Sequence, residues 1–173
     1  ATSVASGESV GATGSFGVEK EATGVSWYPK PSDASPFEGG RDIQLEPGID
    51  VLVTALEAAE AGDVFTLAPG DYRESKIIIL DKPVTIKSGG PSATTLSFDR
   101  PNLFVLTGQG GLILDGLSVT GASAPDGKGN SFISTSATRG SGNHTLMLRN
   151  VSVRDFDVNG GFAVITATKG SFF

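Results

Sequence analysis

From Val64 onward the chain is a succession of short apolar runs whose members alternate with polar residues, interrupted every few positions by Gly, Asp, Asn and Ser. The segments VFTLAPG, KIIIL, PVTIKS, TTLSF, LFVLT, LILDGLSV, FISTS, LMLRNVSV and FAVITAT read as short strands, because β-branched residues at period two suit a pleated surface. The stretch before them differs. PGIDVLVTALEAAEAGD opens on a Pro-Gly turn, puts Asp50 in the first helical turn, and spaces Ile49, Leu52, Val53, Leu56 and Ala59 along one face before Gly62 stops it. That spacing predicts one amphipathic helix over about residues 49–61. Residues 1–40 are rich in Gly, Ser, Ala and Pro, with Phe16, Val25, Trp27, Tyr28 and Phe37 as the bulky apolar anchors. Pro29, Pro31 and Pro36 disfavour both helix and central strand there, so this segment reads as an extended linker.

One pattern occurs twice. LILDGLSV, from Leu112 to Val119, returns as LMLRNVSV, from Leu146 to Val153, at an offset of 34 residues and with no gap. In both copies apolar residues recur at every second position, Leu112 and Leu114 then Leu117 and Val119, and Leu146 and Leu148 then Val151 and Val153, and between the pairs the side-chain parity slips by one, which requires a corner. The corner falls at Asp115-Gly116 in one copy and at Arg149-Asn150 in the other. Gly and Asn are the residues that most readily accept positive φ, which suits a left-handed corner. Paired strands meeting at a one-residue corner, repeated in register, describe successive coils of a parallel β-helix in which Leu stacks on Leu and Val on Val.

The fold predicted is therefore all-β: a right-handed parallel β-helix over residues 41–173, with coils from 64, preceded by the linker. The amphipathic helix is expected to cap the open first cross-section, whose apolar side chains and strand edges would otherwise invite association. Tyr72 is assigned to a PGDY turn, where a packing role stands equally open. Phe104, Phe132 and Phe162 are read as equivalent openings of three successive strands, and Phe172-Phe173 as the start of a strand matching Leu112 and Leu146, so that further coils follow in the native protein.

Composition narrows the function. Thirteen Lys and Arg against nineteen Asp and Glu give a net charge of −6, with the basic residues scattered, which argues against nucleic-acid binding. No apolar run approaches a membrane span, so no membrane association is expected. With no Cys, disulfides and thiolate-bound zinc are excluded. GASAPDGKGN departs from a phosphate-binding loop, since five residues separate Gly121 from Gly127 and Gly129 stands where Ser or Thr is required. In DFDVNGG, Asp155, Asp157 and Asn159 occupy the first, third and fifth positions of a calcium loop. The twelfth, Thr166, cannot supply the bidentate carboxylate, so a corner with solvated acids is the favoured reading. Trp27 and Tyr28 either pin the linker to a surface or stack on sugar. Arg139 and His144 are the remaining substrate-binding candidates, His144 lying in SGNHT just before a strand and read as structural or solvated. No catalytic residue can be assigned.

The chain also resembles a known family. PGIDVLVTALEAAEAGDVFTLAPGDYRESKIIILDKPVTIKSGG is similar to the opening of many secreted β-helix proteins, and the flanks are more specific. GVSWYPKP upstream, with NLFVLTGQGGLILDGLSVTGASAPDGKGNSFIST and NHTLMLRNVSVRDFD downstream, resembles the second, C-terminal β-helix of two-domain alginate lyases of polysaccharide lyase family six. That resemblance implies a secreted or periplasmic bacterial enzyme that cleaves uronate polysaccharide by β-elimination, with a Lys base and an Arg acid on an N-terminal β-helix, often with Ca²⁺. None of those catalytic positions matches this chain. The implied partners are the N-terminal catalytic β-helix of the same protein and alginate or a related polymer, with no cofactor in this chain itself. A non-catalytic glycan-binding or adhesin-type β-helix stands as the alternative reading, and a pectate-lyase-like enzyme with its site in later coils as a third.

Overall fold

The computed structural model describes residues 36–125, 131–135 and 144–156, together with the backbone of 161–164. The chain divides into two units, Ala1–Ala34 and Ser35–Phe173, and the described residues belong to the second. Three parallel sheets are wound from one chain. The first holds β1 (Asp42–Leu45), β2 (Val64–Leu67), β5 (Pro83–Ser88), β8 (Gly111–Asp115) and β11 (Thr145–Arg149), in that spatial order. A second runs β3 (Gly70–Glu74), β6 (Thr94–Phe98), β9 (Ser118–Thr120), β12 (Ser152–Arg154), and the third β4 (Ile78–Leu80), β7 (Asn102–Leu106), β10 (Ser131–Thr135), β13 (Gly161–Val164). Each strand therefore pairs with the strand one coil away, and from β2 onward that is never the next strand in sequence. Asp42 pairs with Val64, Val64 with Thr85, Pro83 with Gly111 and Gly111 with Thr145, so successive coils take 22, 21, 28 and 34 residues.

The echoed segments lie directly on one another. Leu112 faces Leu146, Leu114 faces Leu148 and Val119 faces Val153. Leu112, Leu114, Leu117 and Val119 are fully buried, each worth about 1.5–3 kcal/mol of apolar burial, and the upper copy is partly buried. Both corners take the expected left-handed conformation, with φ of 74° at Gly116 and 49° at Asn150. Gly116 has a second reason for being glycine. A Cβ there would stand 2.5 Å from the Ser88 carbonyl oxygen of the coil below.

The helix differs from its expected extent. Helix α1 covers Val51–Glu57 rather than residues 49–61, and buries Leu52, Val53 and Leu56 against β3 and β4. Those strands end the second and third sheets, so the helix takes the place of a preceding coil. Asp50 is not in its first turn but precedes it at a left-handed φ of 56°. This bend leaves Ile49 outside the apolar face, 70% exposed and bridged to Arg73. At the other end, the Ala58 carbonyl accepts from Arg41 Nη2 and the Ala59 carbonyl from Lys82 Nζ, so side-chain cations close the helix.

Two further readings are corrected. Tyr72 lies in β3, not in a turn: it is fully buried, and its hydroxyl reaches the carbonyls of Leu45 (2.7 Å) and Ala68 (3.1 Å). Its acidity is held below that of a free tyrosine, first by burial and then by the Glu46 charge. Phe132 is not the register partner of Phe104. Ser131 pairs with Asn102 and Ile133 with Phe104, which puts Phe132 beside Leu103. The two rings still meet edge to face at 6.0 Å. Phe162 lies in β13, whose backbone alone is described, and Phe172-Phe173 fall outside the described residues.

Candidate functional site

The charged chemistry of the described residues gathers around the helix. Glu74, at the end of β3, points inward and is fully buried. Its two carboxylate oxygens accept the main-chain N–H groups of Leu52 and Val53, each at 3.1 Å, satisfying two donors that the helix cannot satisfy itself. Asp50 reaches the opposite way: it accepts from Ser75 N at 2.6 Å and from Ser75 Oγ at 2.7 Å. Helix entry and strand end are thus braced in both directions. The two acids titrate apart. Burial pushes the Glu74 carboxyl up to about 7 against the pull of its two N–H donors, while the Ser75 hydrogen bonds hold Asp50 below the usual carboxylate range.

A second buried acid closes the helix from the other end. Asp63 occupies an inward position just before β2, and its side chain is wholly buried. It accepts from Arg41 N at 2.8 Å, Arg41 Nη2 at 2.5 Å and Glu60 N at 2.9 Å. These bonds, led by the Arg41 guanidinium, hold its carboxyl well below the ordinary range. Neither Glu74 nor Asp63 stood out as a site in the sequence. The available signal was parity: counted back through the strand register, both acids fall at inward positions of the coil.

The sequence candidates scatter. His144 is buried, with Nδ1 3.0 Å from the Gly110 carbonyl oxygen; a carbonyl only accepts, so Nδ1 carries the proton. The ring thus bonds to the coil below. Asp155 sits at a left-handed corner with φ of 59°, and its Oδ2 takes the Thr120 hydroxyl at 2.7 Å and lies 3.7 Å from Arg154 Nη1. Asp155 alone of the three calcium-loop positions is described, and among the described residues no group of three His, Asp or Glu side chains could hold a metal ion. Trp27, Tyr28, Arg139, Asp157 and Asn159 lie outside the described residues.

Uronate elimination requires a base, an acid and a cation placed against one carboxylate. Several of the exposed cations described here are turned to other work. Arg73 meets Asp99 at 3.3 Å, Lys87 meets Asp42 at 3.6 Å, and Arg100 donates to the Ser75 carbonyl at 2.5 Å. Besides these there is a shallow apolar groove of about 190 Å³ between α1 and β4, lined by Val53, Leu56, Glu57 and Ile77–Ile79. No helix among the described residues is long and apolar enough to cross a membrane.

Three stacked parallel sheets with a polar outside and an aliphatic inside define a parallel β-helix protein. No family model and no curated protein matches the chain. Among solved structures it is similar to the PL6 family alginate lyase AlyGC, with a TM-score of 0.74 and 34% identity over 85% of this chain. A mutant of the same enzyme, with one Arg replaced by Ala, matches with a TM-score of 0.65 and 30% identity over 86% of this chain. The chain spans only about a fifth of the length of these structures, 20% and 22% respectively. The resemblance read in the sequence is thus matched by a likeness of fold, and the chain is related to polysaccharide lyases.

Proposed function

We propose that this chain is part of the C-terminal β-helix of a secreted or periplasmic alginate lyase, and that it supports the catalytic β-helix of the same protein or flanks its substrate. The observation that carries this reading is the 34% identity to an alginate lyase, sustained over 85% of the chain. In this reading the Lys base, the Arg acid and any Ca²⁺ that neutralises the uronate belong to the rest of the parent protein. Tyr72, Glu74 and Asp63 serve the fold.

The test compares this chain with the full-length protein that contains it. Both are incubated with polymannuronate and polyguluronate, with Ca²⁺ added or chelated, and the unsaturated uronate product is followed by its ultraviolet absorbance. The expected outcome is a baseline signal from the isolated chain and turnover by the full-length protein. Turnover by the isolated chain overturns the reading and directs attention to Arg139, His144, Arg154 and Lys169. An inactive full-length protein that nonetheless binds alginate favours the glycan-binding module instead.

A further inference from the structure

Glu74 is a wholly buried carboxyl group facing main-chain donors rather than a counter-ion. Among the described residues no cation lies within ion-pair distance of it. The charged groups nearest it come from three directions. Asp50 approaches from the segment before α1, and Arg73 and Lys76 lie on its own strand and just beyond. Asp99 and Arg100 belong to the corner after β6, where Asp99 N donates to the Glu74 carbonyl at 3.3 Å. Arg73 is turned to Asp99 and Arg100 to the Ser75 carbonyl, and the first turn of α1 carries no charge. The first turn of the helix is bonded directly to the Glu74 carboxyl through the N–H groups of Leu52 and Val53, whose side chains are themselves buried.

We infer that Glu74 is a proton-operated latch on the helix that covers the first coil. With the proton bound, the buried carboxyl is neutral and the helix stays seated. With the proton lost, a charge without a counter-ion lies under the first turn, and lifting that turn lets water reach it. The carboxyl ionises more readily in the lifted state than in the seated one, so the opening equilibrium is linked to pH. Because burial raises Glu74 to about 7, the linkage works between the ordinary carboxylate range and neutrality. No other segment need move: Asp50 stays ionised throughout, anchored on Ser75.

The experiment is amide hydrogen exchange on the 173-residue chain between pH 5 and pH 8, corrected for the intrinsic exchange rate, together with a ¹³C titration of the glutamate carboxyls. Protection of Leu52 and Val53 should fall about seventyfold across this range while that of β5 stays level. In Glu74→Gln the helix amides should lose this pH dependence. A flat profile in the unmodified protein, or an equal slope in Glu74→Gln, overturns the inference. If the Gln variant fails to fold, the ¹³C titration decides: a Glu74 midpoint in the ordinary carboxylate range sinks the latch, and one near neutrality supports it.

Discussion

The two ends of the described coil are stabilised by different means. At the first coil, two buried acids and an arginine tie a short helix to β1, β2 and β3 through side-chain bonds. Three coils further on, β8 and β11 stack Leu on Leu and need little beyond main-chain pairing and a permissive corner. Repetition explains the contrast. A coil between two like coils finds a copy of its own apolar row above and below, whereas the first coil has no copy on one side and must satisfy a helix's loose donors instead.

Removing a ladder side chain should have the largest effect. Leu114→Ala is expected to cost about 2–5 kcal/mol in denaturant unfolding, since the site is fully enclosed by rigid strands and cannot collapse. If it cost less than the clamp substitution below, the later coils would not be the better packed. Asp63→Ala should cost about 2–4 kcal/mol by the same measurement, chiefly because the Glu60 and Arg41 main-chain donors lose their acceptor.

The two buried acids should also oppose each other in pH. Asp63 has a lowered folded-state pKa, so its contribution is present above the ordinary carboxylate pKa and is lost as the solution is acidified. Glu74 is raised to about 7, so its contribution is complete below its unfolded value of 4.5 and is lost as pH rises through 7. The unfolding free energy should therefore peak near pH 4, between the two ordinary carboxylate values, and fall by about 2.5 kcal/mol from pH 5 to pH 8. A midpoint that climbs steadily from pH 5 to pH 8 would remove Glu74 from the comparison.

The corner gives the smallest effects and the finest discrimination. Asn150→Val should cost about 1–3 kcal/mol because a β-branched residue is strained at φ of 49°, and Asn150→Gly should change stability by less than about 0.5 kcal/mol. Gly116→Asn should not be tolerated in the same way, although Asn accepts the dihedral, because its Cβ meets the Ser88 carbonyl. Equal stability of the two corner exchanges would show that conformation alone selects the residue.

The coil was legible where it repeats. The 34-residue offset, the parity slip and the identity of Gly116 and Asn150 as corners come directly from alternation, and the structure matches them. Legibility failed where an inward position is polar. GDYRE carries one apolar residue among four polar ones, so Tyr72 looked like part of a turn, although Glu74 follows it at the correct parity for a strand. Helical spacing of Ile49 and Ala59 also overstated the helix, because the left-handed Asp50 and the cationic closure at Ala58 and Ala59 are tertiary events. The phenylalanine series misled by one residue, since two adjacent buried positions, Leu103 and Phe104, compete for the same partner.

Gly121 follows Phe98 in the register, and the ring of Phe156, from the coil above, descends over it until Cδ1 would stand 3.2 Å from a Cβ at that position. The Phe98 and Phe156 rings are 5.8 Å apart, although their strands are separated by β9 and so by two steps of about 4.8 Å. A stack of coils is ordinarily a chain of nearest neighbours, each able to peel away from the next. Here a rivet passes through the middle layer. Pulled from its far end, such a stack should give way in one larger step at these three layers instead of three small ones, and the absent side chain at Gly121 is what makes the layers act as a single plate.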